Sequence, residues 1–445
     1  AMFGIVRGGM VVVPLNVSVS DAAVAGMIAN SGARAVIASD AHVLRVEKLR
    51  PELSGDVSGR LIGLGDVPDG WTEYASLRAA GAPELAEVQV DPQDECNIIY
   101  SSGTTGQPKG IVHSHACRMA WATEMTASLR YHYGARTLCS LGLYSNITWV
   151  AMLATVYAGG TVVIQRRFEP RSCLQAIEHY RITHSAMVPL QYQRLLECEA
   201  FDQFDLSSLD ALMCCGSPLS VEMKRQIMER VPGQFVELYG LTEGLVTILS
   251  PEDMADKTAS VGRPCPGQRL VIVGNDGCVL PACEKGEIVG YSSFMMSGYH
   301  ENDAENEAAT WIAPSGERWL RTGDIGMVDE EGFLYLVDRK KDMIISGGQN
   351  IYPADIEAVL IQHEHVSEVA VVGVNSRKWG ETPFAVIVPV PGRGERVENI
   401  VAWANGRLGK QQRIAAGTLV EALPRNPNGK VLKRELRKQY ASLTL

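Results

Sequence analysis

Between Tyr100 and Gly110 the chain places four small hydroxyl side chains (Ser101, Ser102, Thr104, Thr105), three glycines (Gly103, Gly106, Gly110) and one cation, Lys109. Glycines let successive backbone N–H groups turn towards one point and allow an anion to approach closely. The hydroxyls add neutral donors, and Lys109 adds a mobile charge suited to phosphate. The pattern is not the P-loop, because Lys109 is followed by Gly110 rather than Ser or Thr, and no GxGxxG fingerprint is present. A solvated surface turn would have the same composition. Against that reading, residues 97–100 form a short apolar strand pattern that leads straight into the loop, and a donor-rich loop at a strand end suits a phosphate.

Three more stretches carry reactive types at short spacing. Tyr239, Gly240, Leu241, Thr242 and Glu243 offer a ring, a hydroxyl and a carboxylate. That set suits a base, a phosphate and phosphate-bound magnesium, an ion that takes oxygen ligands. Thr322, Gly323 and Asp324 place a carboxylate, able to accept two hydroxyl donors, in a turn. Residues 424–430 hold two prolines, two asparagines and a glycine before Lys430, a loop that can continue neither helix nor strand. Taken singly, each reads equally well as a solvated carboxylate or a surface lysine. His113, His115 and Cys117 alternate in the manner of metal ligands on a strand, but no fourth ligand or supporting pattern accompanies them.

The elements that must hold these residues alternate between strand and helix. Residues 11–15 read as a buried strand, followed by a helix opening near Ser20 and Asp21 and a second strand at 35–38. Apolar strand runs recur at 161–164, 185–188 and 211–215, with helical segments such as 173–180 between them. The last run ends in the turn Gly216, Ser217, Pro218, with Ser220 placed to cap the next helix. Residues 270–280, centred on Gly274-Asn275-Asp276-Gly277, read as a hairpin, and 286–290 continue a β-rich section. Five consecutive charges at 338–342 follow a strand at 333–337 and read as a solvated linker. Beyond them lies an α+β pattern, with helical stripes at Ile356, Val359, Leu360 and at Val397, Ile400, Val401, Ala404, Leu408.

Composition narrows the class. The 445 residues carry a net charge of −10, with 46% hydrophobic and 21% charged residues, and no basic run occurs before the last thirty positions. This argues for a soluble globular chain and against a nucleic-acid surface. Ten scattered cysteines without a CxxC pair read as buried thiols of a reducing, cytoplasmic compartment. The apolar stretch 149–164 is interrupted by Gly159, Gly160 and Thr161, so a helix followed by a strand explains it better than an integral membrane segment. The start, Ala1 to Gly4, reads as the middle of a helix. The oligomeric state is not legible, and a homodimer is compatible with what is.

In their types and their order these motifs resemble those of the acyl-adenylate-forming superfamily, which includes acyl-CoA synthetases, luciferases and peptide-synthetase adenylation domains. The resemblance covers nearly the whole chain. The sequence of residues 347–357, GGQNIYPADIE, and the YGLTE run are closest to the acyl-CoA ligase branch. The resemblance implies an α/β fold: a large N-terminal domain of wound α/β subdomains with a small β-barrel-like subdomain (1–338), then a small mobile α+β domain (339–445), with a hinge at 338–342. It also implies that the family's opening portion is absent before the stretch at 8–16. The implied reaction is ATP-dependent acid:CoA ligation through an acyl-AMP, with ATP, Mg²⁺ and coenzyme A as cofactors and a small carboxylic acid as partner.

By the same resemblance, Ser101, Ser102, Gly103, Thr104, Thr105 and Lys109 hold phosphate. Gly216, Ser217 and Pro218 border the adenine and the acyl pocket. Tyr239 stacks on adenine beside Gly240, Thr242 touches the α-phosphate, and Glu243 holds Mg²⁺. Asp324 takes the ribose hydroxyls, Arg339 reaches the nucleotide, Lys341 is the pivot and Lys430 is the catalytic lysine. Ser346, Gly347 and Gly348 flank a pantetheine tunnel. Tyr144, Ser145, Trp149 and Val188 wall the acyl pocket, where Ser145 replaces the family's usual histidine and no arginine is evident for a second carboxylate. Two alternatives remain open: an enzyme that loads a carrier-protein thiol, and a nucleotide-binding pseudoenzyme.

Overall fold

The computed structural model describes residues 1–53, 57, 59–81, 87–101, 109–410, 412–426 and 429–445. Two compact units emerge. The first comprises Ala1–Arg167, Thr242–Gly244 and Ser293–Ala308; the second comprises Phe168–Leu241, Leu245–Ser292 and Ala309–Leu445.

In the first unit the expected β-α-β opening forms differently at its start. Residues 11–15 reduce to a single bridge, Val12 to Asn97, with Val12 N–H donating to Cys96 O and Ile98 N–H to Val12 O, each at 3.1 Å. Pro14 has no N–H with which to extend the ladder. The helix Asp21–Asn30 begins where expected, its first turn capped by Ser20, whose side chain accepts the Ala23 N–H. It packs Val24, Met27 and Ile28 into a core with Val43, Leu49, Leu61 and Trp71. Strands Val36–Ala38, Leu61–Gly63 and Thr72–Glu73 form a parallel sheet beside it.

The hydroxyl loop is carried by an antiparallel pair, Glu95–Ser101 and Lys109–Ser114, in which Ser101 faces Lys109 and Ile99 faces Ile111. The short strand Gly298–Tyr299 joins the free edge of the second strand. Ser114 ends that strand and caps the helix His115–Ser128 by accepting the Cys117 N–H at 3.1 Å. His113 is therefore a strand residue, while His115 and Cys117 are helical, and the three do not share a strand face. Helix Asn146–Tyr157 and strand Thr161–Ile164 split the apolar stretch as expected. Among the described residues no helix is long and apolar enough to cross a membrane.

The second unit holds parallel strands His184–Met187, Ala211–Cys215 and Gln234–Gly240, extended antiparallel by Val246–Leu249 and Arg263–Pro264. Arg269–Val273, Gly286–Tyr291, Thr310–Ile312, Arg318–Val328 and Leu334–Arg339 make an antiparallel sheet. The expected barrel-like section is this sheet, which does not close among the described residues. The expected hairpin at 270–280 is short, held by a Val273–Val279 bridge and a Gly274 N–H to Cys278 O bond of 2.9 Å.

A last sheet pairs Val366–Ser376 with Gly380–Pro389 and adds Ile344–Ser346, Gln349–Ile351 and the parallel strand Ala416–Leu419. The helices Pro353–Leu360 and Val397–Asn405 lay Ile356, Leu360, Ile400 and Ala404 on one of its faces, as their periodicity predicts.

Candidate functional site

Two groups of the expected site residues form, one in each unit. In the first unit, Ser102, Gly103, Thr104 and Thr105 lie outside the described residues, but both ends of their loop are in place. Ser101 ends one strand, and Lys109 opens the neighbouring one directly opposite. The Lys109 ammonium donates to Glu305 Oε2 at 2.5 Å and lies 5.1 Å from the Tyr299 ring centroid. The Tyr299 hydroxyl in turn donates to Glu243 Oε1 at 3.0 Å. Burial, and then the Glu243 charge, push the Tyr299 phenol far above its ordinary range, so it stays a donor.

Thr242 and Glu243 are pinned through their backbones. The Thr242 carbonyl is 2.8 Å from His113 Nε2, and the Glu243 carbonyl accepts the Met296 N–H at 2.9 Å. Gly244 follows at φ +119°, where a Cβ would stand 2.3 Å from the Phe294 oxygen, so only glycine fits. Glu243 offers a half-buried carboxylate, the hard oxygen donor that magnesium takes.

The pocket-wall residues of this unit are also placed. Ser145 is buried at the start of helix Asn146–Tyr157, Tyr144 is half-buried, and Trp149 is buried with its indole N–H on Leu143 O at 2.8 Å. No arginine is evident here from the sequence, and the fold brings one in from elsewhere. Arg118 lies 4.8 Å from the Trp149 ring centroid and donates to Asn146 Oδ1 at 2.8 Å. It comes from another helix, so sequence distance from Tyr144 concealed it.

In the second unit, Tyr239 is the last residue but one of the strand Gln234–Gly240 and donates its hydroxyl to Asp324 Oδ2 at 2.8 Å. Asp324, only 6% exposed, faces Arg339 across the paired strands, and Arg339 Nε reaches Asp324 Oδ1 at 3.1 Å. Lys430 stands within electrostatic reach of Asp324, Arg339, Lys341 and Asp342. Burial first, then the Arg339 charge, draw its pKa down to about 8 against the pull of Asp324.

The irregular loop that delivers Lys430 is built as its composition requires. The Asn426 side chain accepts the Lys430 N–H at 2.8 Å, and Arg425 Nη1 donates to Gly429 O at 2.5 Å. Gly429 sits at φ +81° with a Cβ position 3.1 Å from Leu190 Cδ2. Pro427 and Asn428 lie outside the described residues.

The remaining expected residues fall into turns. Gly216 and Pro218 are exposed and Ser217 is half-buried after the strand Ala211–Cys215, and Ser220 caps the next helix by accepting the Met223 N–H at 3.2 Å. Val188 is buried at the start of helix Pro189–Leu196. Ser346, Gly347 and Gly348 make a tight hairpin in which Gly347 N–H donates to Trp379 O at 2.8 Å. Lys341 is exposed in the turn after strand Leu334–Arg339. The sequence reading missed Tyr299, Glu305 and Arg118, and gave His113 no role once metal ligation was set aside. No local pattern marks any of these partners.

Comparison with known proteins follows the same lines. The family described as AMP-binding enzyme matches residues 1–300, and AMP-binding enzyme C-terminal domain matches residues 355–430. A feruloyl-CoA synthase of an Amycolatopsis species is 32% identical over 443 residues, covering 99% of this chain and 86% of its own. A long-chain-fatty-acid–CoA ligase of Mycobacterium tuberculosis is 32% identical over 450 residues, with 99% and 85% covered. Among solved structures, the amide bond synthetase McbA of Marinactinospora thermotolerans superimposes with a TM-score of 0.87 at 28% identity, covering 98% of this chain and 86% of that one. ATP-bound MatB of Rhodopseudomonas palustris gives a TM-score of 0.86 at 26% identity, with 98% and 85% covered. With family matches spanning both its large N-terminal and its small C-terminal part, the chain belongs to the AMP-binding enzyme family.

Proposed function

We propose that this protein is an ATP-dependent carboxylic acid:CoA ligase that works through an acyl-adenylate. The observation that carries the reading is the delivery of Lys430 by an irregular loop to the buried Asp324 and its ion-pair partner Arg339, beside Tyr239. In the first step a carboxylate oxygen attacks the α-phosphorus of ATP, the bond from that phosphorus to the bridging oxygen breaks, and pyrophosphate leaves with the electron pair. Both reactants are anions, so cations and fixed geometry supply the rate. In the second step a thiol sulfur attacks the acyl carbon, AMP leaves with the anhydride oxygen, and the thiol proton passes to solvent.

The roles follow from chemistry and placement. Lys109 and the hydroxyls from Ser101 to Thr105 hold the outer phosphates, with Lys109 exchanging Glu305 for a phosphate oxygen. Thr242 contacts the α-phosphate, and Glu243, with Tyr299 bonded to one oxygen, would hold Mg²⁺, which when bound neutralises phosphate charge. Asp324 accepts the ribose hydroxyls, Tyr239 and the turn Gly216–Pro218 flank adenine, and Lys430 stabilises charge at the junction of carboxylate and phosphate. We place the domain boundary at 338–342, with Lys341 as hinge, and the pantetheine arm of CoA beside Ser346, Gly347 and Gly348. Tyr144, Ser145, Trp149 and Val188 wall the acid pocket.

The test is AMP and pyrophosphate release from MgATP with a panel of short, long and aromatic acids, each with and without CoA. AMP formation that needs both one acid class and CoA supports the ligase. Acid-dependent pyrophosphate exchange without CoA turnover points to a carrier-protein thiol instead. No turnover by folded protein across a broad panel sinks the reading.

A further inference from the structure

Arg118 is 5% exposed, and among the described residues no carboxylate pairs with it. Leaving a guanidinium in the interior without a counter-ion is costly, and an apolar side chain packed on Trp149 would avoid that cost. Burial draws its pKa down only to about 10, so the charge remains at neutral pH. Three neutral acceptors and one ring hold it. Nε donates to Asn97 Oδ1 at 2.6 Å, Nη1 to Asn146 Oδ1 at 2.8 Å and Nη2 to His113 Nδ1 at 3.1 Å, with the Trp149 face beneath.

This arrangement decides the state of His113, which is fully buried. Its Nδ1 faces only donors, Arg118 Nη2 and, at 3.4 Å, Asn97 Nδ2, so it carries no proton. Nε2 lies 2.8 Å from the Thr242 carbonyl and must therefore carry the proton and donate it. Asn97 and His113 sit on the two strands that bear the hydroxyl loop and Lys109, Arg118 on the helix that follows them, and Asn146 and Trp149 on a second helix. Through His113 the network reaches the backbone of Thr242.

We propose that the buried Arg118–His113 pair is a positioning device for the adenylation step, holding the Thr242–Glu243 backbone in fixed relation to the strands that carry Lys109. This rests on the ligase reading for its kinetic consequences. Arg118 fixes the His113 tautomer, and His113 fixes the height of Thr242. The expected signature is a loss in kcat with KM for MgATP nearly unchanged, because Lys109 and the loop still bind phosphates.

The test compares His113→Leu, His113→Gln and Arg118→Met with the unaltered protein in acid-dependent pyrophosphate exchange, alongside thermal melting. His113→Leu is expected to lose about 100-fold in kcat, the scale of an ångström misplacement. His113→Gln, whose amide still donates to the Thr242 carbonyl, is expected to recover most of that loss. Folded His113→Leu with kcat within threefold of the unaltered protein overturns the proposal. So do equal losses in His113→Leu and His113→Gln, since rescue would then not depend on the donated hydrogen bond.

A second arm needs no turnover. The ring-nitrogen NMR signals of His113 in the full chain should show Nε2 protonated and Nδ1 bare, and Arg118→Met should allow the other tautomer. A protonated Nδ1 in the unaltered protein overturns the proposal. Inactivity of the unaltered protein sinks the ligase reading alone, with the tautomer result still deciding the pair.

Discussion

Lys430 and Lys109 are both lysines meant for phosphate chemistry, yet their surroundings set them apart. Lys430, with its pKa drawn down to about 8 by burial and Arg339, is a cation below that pH and loses its charge above it. If it stabilises the forming anhydride as an ammonium, kcat/KM for adenylation should fall as pH rises through about 8. Lys430→Arg, which keeps its charge, should move that fall out of range while lowering the rate. A pH–rate profile for AMP formation checks both. Lys109, by contrast, already has an anionic partner, so ATP must displace Glu305. Glu305→Gln should therefore lower KM for MgATP by up to about fivefold, the value of a partly exposed ion pair. An unchanged or raised KM, measured at fixed ionic strength, would show that Glu305 orients the lysine rather than competing for it.

At the scale of elements, the strand Gln234–Gly240 carries Tyr239 near its end and Glu237 two residues earlier, inside the core. Glu237 is paired with Lys224 of helix Val221–Arg230, both nearly fully buried, and Lys224 also donates to Thr258 O at 2.5 Å and Ser260 O at 3.1 Å. Lys224→Met removes one partner and strands a carboxylate, a loss of about 3–5 kcal/mol. Adding Glu237→Leu should recover much of it, and chemical denaturation of both variants measures the difference. Caps and stripes of this kind were legible: Ser20 and Ser220 start their helices where their side chains say, and Ile356 and Ile400 face a core. The run 11–15 misled because Pro14 leaves it a bridge rather than a strand. His113, His115 and Cys117, set aside as metal ligands, are divided because the chain turns from strand into helix after Ser114.

For the whole molecule, the family's two-part organisation runs through one chain with little slack. The turn 340–342 joins strands Leu334–Arg339 and Ile344–Ser346, with Lys340 N–H on Gly323 O at 2.9 Å and Asp342 N–H on Arg339 O at 2.9 Å. If this turn is the hinge between half-reactions, Lys341→Pro, which locks φ, should spare acid-dependent pyrophosphate exchange. It should slow CoA-dependent AMP release by at least about tenfold, as hinge changes do when motion limits turnover. Equal loss of both half-reactions would count against the hinge.

What the sequence by itself determined is local: the hydroxyl loop at a strand end, the irregular turn before Lys430, the helix caps, and the motif order that names the family. These depend on backbone preferences and side-chain types within a few residues, and spacing reports both. Only the tertiary structure decided which groups face each other. Glu305 is 196 positions from Lys109, Thr242 is 129 from His113, and Asp324 is 85 from Tyr239. Such pairs are chosen when strands register and helices pack, and the cost of closing a long loop varies too slowly with its length for separation to point to one partner over another.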